Sequence, residues 1–152
     1  MLNKVRSIKI LNIILVTLKK RIELKLLKYN KKIMNKLNIN KEDFEQFILL
    51  KEMNLKFSLD IKDIDIKELD LRNKALEIDI IDYLTKIKFN KLKALNFEKN
   101  KISDIRGLEN VKFEKLEELY LGENNISNID VLEKENFKEL KILGWWKWKM
   151  IR

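Results

Sequence analysis

The sequence predicts an α/β solenoid in which short parallel β-strands alternate with helical or 3-10 return arms, behind an α-helical N-terminal cap. Three observations predict it. Phe89-Asn90-Lys91-Leu92 returns as Phe113-Glu114-Lys115-Leu116 and as Phe137-Lys138-Glu139-Leu140, at intervals of 24 residues, and a period of this size marks stacked structural units. Inside each period, apolar residues alternate over a few positions, as a short half-buried strand requires. Nearer the N-terminus the apolar rhythm becomes helical, with steps of three and four residues. Residues 1–58 therefore read as a basic helical cap region and residues 59–152 as repeats, with copies starting near 66, 92, 116 and 140 and the last incomplete.

The two central copies run Leu92, Leu95, Phe97, Asn100, Ile102 and Leu116, Leu119, Leu121, Asn124, Ile126. The alternating pair in each, Leu95 with Phe97 and Leu119 with Leu121, points to one side of a strand, and stacking the copies buries them together. The asparagine falls at the turn leaving the strand, where an amide can pair backbone donors and acceptors that burial would otherwise orphan. Asn100 and Asn124 are expected to form a short ladder. This LxxLxLxxNxI pattern resembles the leucine-rich-repeat family. The return segments Ile102-Ser103-Asp104-Ile105 and Ile126-Ser127-Asn128-Ile129, with Leu108 and Leu132, resemble its internalin-like variety. The resemblance runs from about residue 60 onward and implies a non-catalytic protein-protein interaction module that binds through the concave face of the array.

A more divergent copy precedes these at Ile66, Leu69, Leu71 and Leu76, with Lys74 in the asparagine position. A fourth opens with Leu140, Leu143 and Trp145 and carries Trp148 there. Neither Lys74 nor Trp148 is a compact donor and acceptor, so the first and last turns are expected to be looser than the middle two. Leu76, Ile80, Leu84 and Ile87 keep a near-helical spacing in an arm two residues longer than its counterparts, which predicts a helical return arm. Asn40 before Lys41, Glu42 and Asp43 reads as an N-cap with an acidic first turn, so a helix is expected over about 41–54, with Phe44, Phe47, Ile48 and Met53 on one face.

Composition excludes whole classes of function. The chain holds no cysteine and no histidine, which removes disulfides, thiolate nucleophiles, imidazole bases and Cys/His zinc sites. With four serines, three glycines and no phosphate-binding or nucleophile-elbow motif, no catalytic residue, metal site or cofactor is expected. Asp60, Asp63 and Asp65 lack the glycine and distal glutamate of a calcium loop and read as solvated charge. The absence of cysteine fits a reducing cytosol, and a cytoplasmic location is the expectation.

The net charge of +9 is unevenly distributed. Residues 1–40 hold eleven Lys or Arg against Glu23, or +10, whereas residues 41–152 hold 22 against 23, or −1. The Leu11-to-Leu37 stretch admits several readings: a helical cap over the first repeat, a basic amphipathic helix on a membrane surface or nucleic acid, or a signal peptide with Lys4, Arg6 and Lys9 before Ile10–Leu18. Asn12 and the lack of a small-residue cleavage site oppose the last. Ile10-Leu11, Ile14-Leu15, Leu18, Ile22-Glu23-Leu24-Lys25-Leu26 and Asn30-Lys31 also resemble an F-box. That resemblance implies a ubiquitin-ligase substrate adaptor, with residues 7–37 as the F-box-like part.

The residues between the inward leucines form the expected binding face: Asp70 and Arg72 (with Glu68), Asn96 and Glu98 (with Ala94), Glu118 and Tyr120 (with Gly122), and Trp146 (with Ile142 and Gly144). Tyr120 and Trp146 are the expected aromatic anchors of a protein partner. With Glu117 and Glu123 close to Glu118, the third copy reads as locally acidic, which disfavours nucleic acid on this face. Trp145, Trp146 and Trp148 predict an apolar C-terminal end, open to three accounts: a truncated gene product, self-association through that end, or a partner site.

Overall fold

A computed structural model describes residues 40–145. The chain divides into two compact units, 1–48 and 49–152, with the boundary inside the first described helix. That helix, α1 (Lys41–Phe57), starts where the sequence places it: Asn40 Oδ1 accepts from the Asp43 N–H at 2.8 Å, and Glu42 and Asp43 occupy the first turn. It runs three residues past the expected end at 54. Phe44, Phe47 and Met53 are buried as expected, whereas Ile48 is only half-buried; Leu50, also buried, completes the face. The N-terminal readings, including the F-box-like stretch, fall on residues outside the described range.

From residue 49 onward, four three-residue strands alternate with return arms: β1 (Glu68–Asp70), β2 (Ala94–Asn96), β3 (Glu118–Tyr120) and β4 (Ile142–Gly144). They form one parallel sheet in sequence order, with Leu69, Leu95, Leu119 and Leu143 in register. The first arm holds helix α2 (Asp79–Leu84), as the longer arm predicts; the second and third hold 3-10 turns at Arg106–Asn110, Asp130–Glu133 and Glu135–Phe137. The 3-10 turns at Arg106 and Asp130 start alike, Asp104 Oδ1 accepting from Arg106 N–H and Asn128 Oδ1 from Asp130 N–H.

The core is continuous through the stack. Leu71, Phe97 and Leu121 follow the strand leucines inward, Leu92 and Leu116 precede them, and Phe89, Phe113 and Phe137 close the arms; all are buried. From the arms come Ile80, Ile81, Leu84 and Ile87, then Ile105, Leu108 and Val111. Leu50 and Met53 join the same core, so the C-terminal part of α1 covers apolar surface at the first repeat, with Phe57 stacked edge-on against Tyr83 of α2 at 5.6 Å. Gly107 lets the second arm approach the first: a Cβ there would stand 2.8 Å from Ile81 Cγ2. At the opposite end the burial fails. Leu143 is 40% exposed where its register partners Leu95 and Leu119 are fully buried, and Ile142 and Trp145 are exposed beside it.

The asparagine ladder is present and has a direction. Asn100 Oδ1 accepts from the N–H groups of Lys74 and Leu76, both at 3.0 Å, and its Nδ2 donates to Leu71 O and to Phe97 O and Glu98 O of its own turn. Asn124 does the same one copy later, accepting from Ile102 N–H and donating to Phe97 O, Leu121 O and Gly122 O. Each amide thus serves the copy before its own. This corrects the expectation that Lys74 loosens the first turn, because Asn100 supplies that turn. Position 74 itself has no preceding described repeat to serve. The turn without such an amide among the described residues is the third, whose counterpart position is Trp148. Beside each ladder position the backbone is left-handed, at Asn73 (φ 54), Lys99 (φ 57) and Glu123 (φ 53), as a sharp exit from the strand demands.

Candidate functional site

The candidate face is the outer surface of the four-stranded sheet. In a strand, neighbouring side chains take opposite sides, so each central leucine turns inward and the residues flanking it turn out. In β1, β2 and β3 the centre is buried and the flanks are exposed or half-buried. Register sets them in rows, Glu68–Ala94–Glu118–Ile142 and Asp70–Asn96–Tyr120–Gly144. Arg72, Glu98 and Gly122 follow just beyond the strand ends. The structure thus brings Asp70, Arg72, Asn96, Glu98, Glu118 and Tyr120 onto one surface, while Trp146 lies outside the described residues.

These side chains are organised along each strand. Asp70 Oδ1 accepts from Arg72 N–H at 3.0 Å, and the Arg72 guanidinium grips the same carboxylate, Nη2 to Oδ2 at 2.8 Å. That hydrogen bond holds the Asp70 carboxyl below its ordinary range and raises the guanidinium. In the next copy Asn96 Oδ1 accepts from Glu98 N–H at 2.8 Å, and Asn96 Nδ2 donates to Glu98 Oε2 at 3.2 Å. In the third, Tyr120 Oη donates to Glu118 Oε2 at 2.9 Å, which pushes the phenol up, with burial adding to it.

Local acidity in the third copy is largely compensated, a finding sequence reading missed. Glu117 accepts from Lys93 (2.5 Å) and Lys141 (2.8 Å), each 24 residues away, and these pull its carboxyl down to about 2, Lys141 contributing most. Glu123 pairs with Lys99 at 3.5 Å. The signal was available, since Lys93, Glu117 and Lys141 stand at one repeat position with alternating sign. Among the described residues, Glu98 and Glu118, on either side of Tyr120 and Asn96, have no cation at hydrogen-bond distance. Elsewhere, Asp60 pairs with Lys62 and Asp65 with Lys91 at 2.7 Å, while Asp63 Oδ1 accepts from the Asp65 N–H. Among the described residues no group of three or more acidic side chains is placed to hold a metal, and no helix is long and apolar enough to cross a membrane.

Gly144 shapes the same surface. A Cβ on it would stand 2.6 Å from Tyr120 Cδ1, 3.4 Å from Cε1 and 3.5 Å from Cγ. Both outer distances exceed the one to Cδ1 by 0.8 to 0.9 Å (3.4 and 3.5 against 2.6), as for an approach near the ring plane, so the Cδ1 edge of the ring, rather than a face, abuts β4. Any larger residue at 144 would displace the phenol.

A family-model match agrees with the repeat pattern. Residues 90–134 match the family model for leucine-rich repeats, in two copies. Among solved structures the chain is similar to internalin C2 from Listeria monocytogenes, at 24% sequence identity and a TM-score of 0.43, over 62% of this chain and 42% of that one. The chain therefore spans about two-fifths of the length of the internalin chain it matches. No curated protein matches the sequence.

Proposed function

Since the chain carries leucine-rich repeats, we propose that it is a non-catalytic recognition module whose protein partner seats on the outer, concave face of the sheet. The observation that carries this reading is the placement of side chains. Alternation and register collect the variable positions of successive copies on one surface, and hydrogen bonds between residues two apart in the first three copies pre-order them. Pre-ordered side chains lose less rotamer freedom on binding, which is where much of the cost of a polar interface lies. A half-buried aromatic such as Tyr120, flanked by polar groups, is the usual composition of an energetic centre.

A photo-crosslinking residue placed at Ala94 on the sheet face, and separately at Lys112 on the arm side, tests the reading in cells expressing the full chain. A discrete protein adduct is expected from position 94 and not from 112. It should be lost on adding Asn96→Ala with Tyr120→Ala, while the melting curve of the variant stays cooperative. An adduct from position 112 alone would overturn the assignment of the face.

A further inference from the structure

The ring of Tyr120 has an orientation that can be worked out from two contacts. Its hydroxyl reaches Glu118, two residues back on the same strand and the same face, so the long axis of the phenol runs along β3. Its Cδ1 edge points sideways at Gly144 of β4. A plane containing both the strand direction and the cross-strand direction is parallel to the sheet. The phenol therefore lies flat on the surface, one face toward the strands and the other toward solvent. Glu118 stands at its hydroxyl end. Asn96, its register partner on β2, lies on the side away from Gly144 and holds the Glu98 carboxylate through Nδ2. Each of these two carboxylates uses Oε2 for its internal hydrogen bond, which among the described residues leaves Oε1 for a ligand. Among the described residues, cations of these copies are engaged elsewhere: the Arg72 guanidinium by Asp70, Lys93 and Lys141 by Glu117, and Lys99 by Glu123.

A level aromatic platform with a carboxylate at its end and another at its side is complementary to a planar cation with donors around its rim. Building on the recognition face assigned above, we propose that Tyr120 receives an arginine side chain of the protein partner, its guanidinium stacked on the outward face of the ring and its N–H groups donating to Glu98 and Glu118. Arginine fits better than lysine because a guanidinium is flat, weakly hydrated and bears donors in its own plane, whereas an ammonium is a compact, strongly hydrated point charge. Gly144 is then a positioning residue, since it alone lets the ring lie level.

Fluorescence anisotropy with the full chain and three labelled decapeptides, alternating glycine with arginine, lysine or citrulline, tests this. The arginine peptide should bind, the lysine peptide about fivefold or more weakly, and the citrulline peptide not at all. Tyr120→Leu should reduce binding of the arginine peptide about tenfold, as should Glu98→Gln with Glu118→Gln. Glu118→Gln retains an acceptor for the phenol and so separates charge from ring position. Gly144→Ala should weaken binding and leave thermal stability close to wild type, the ring swinging up off the sheet. Equal binding of the arginine and lysine peptides, no binding of either, or indifference to Tyr120→Leu would overturn the proposal. These failures stand apart from failure of the face itself: an adduct at Ala94 whose cross-linked partner segment lacks arginine sinks the arginine reading and leaves the face in place.

Discussion

Replacing Asn100 with alanine tests the chain of reasoning from repeat pattern to stability most directly. The residue is 7% exposed and its side chain makes five hydrogen bonds, four of them between 2.8 and 3.0 Å. A well-formed internal hydrogen bond contributes about 1 kcal/mol net, and a buried backbone group left without a partner costs about 1 to 3 kcal/mol. Water can reach the exposed Lys74 segment and recover part of the loss there, but not the Leu76 amide, whose residue is buried. Asn100→Ala should therefore cost about 3 to 4 kcal/mol. Asn124→Ala, at a half-buried position with one amide to satisfy instead of two, should cost about 2 kcal/mol. Asn100→Asp should be no better than alanine, because it keeps the acceptor for Lys74 and Leu76 but turns a carboxylate toward Leu71 O, Phe97 O and Glu98 O. Urea unfolding followed by far-ultraviolet circular dichroism measures all three. An Asn100→Ala cost below that of Asn124→Ala, or a well-tolerated aspartate, would refute the account of the ladder.

Three further outcomes follow from the packing and charge. Gly107→Ala should destabilise by about 1 to 2 kcal/mol by forcing the second arm off Ile81, and Gly107→Val by more; unchanged melting temperatures would show that the arms do not pack as described. Ala75 has a left-handed backbone (φ 54), so Ala75→Gly should raise stability by up to about 1 kcal/mol, relief of the left-handed penalty exceeding the added freedom of the unfolded chain. Glu117 has a folded pKa of about 2 against an ordinary 4.5; a depressed carboxylate stabilises fully above its unfolded value and loses that contribution as pH falls toward the folded one. The gap in melting temperature between wild type and Glu117→Gln should accordingly be constant above about pH 5.5 and close between about pH 4.5 and 2, a gap indifferent to pH counting against the ion-paired ladder.

Much of the architecture was legible in the sequence because stacking leaves a period behind. The Phe-x-x-Leu elements, the alternating Leu95/Phe97 and Leu119/Leu121 pairs and the longer first arm each map onto an observed element. Features set by contacts between copies were not legible. The direction of the asparagine bonds depends on which neighbour's turn lies within reach, so Lys74 looked like a defect when its own turn is served by Asn100. Ile81 escaped because it adjoins Ile80, already assigned to the buried side, and a helix face in this packing is wider than strict spacing suggests; Leu50, three residues from both Phe47 and Met53, was legible from helical spacing. The outward rows were readable from alternation alone. The level pose of Tyr120 was not, since it rests on a glycine 24 residues away. A comparison of charges at equal repeat positions would have found Lys93, Glu117 and Lys141.

The backward reach of each asparagine gives the array a timetable. During synthesis the turn of one copy cannot lock when its own residues emerge, because the amide that closes it lies in the next: residues 74 and 76 wait for Asn100, and residue 102 waits for Asn124. Consolidation must therefore trail elongation by about one copy, the newest turn always provisional. The same lag constrains how such an array changes length. Removing the period that carries Asn100 preserves the closure of the first turn, because Asn124 then arrives at the same place, whereas removing the one that carries Asn124 brings Trp148 there instead. A cut at the level of the asparagine strands the turn behind it. Periodicity here is thus a rule of interchangeable supply, in which the unit that can be exchanged is offset from the unit that is sealed.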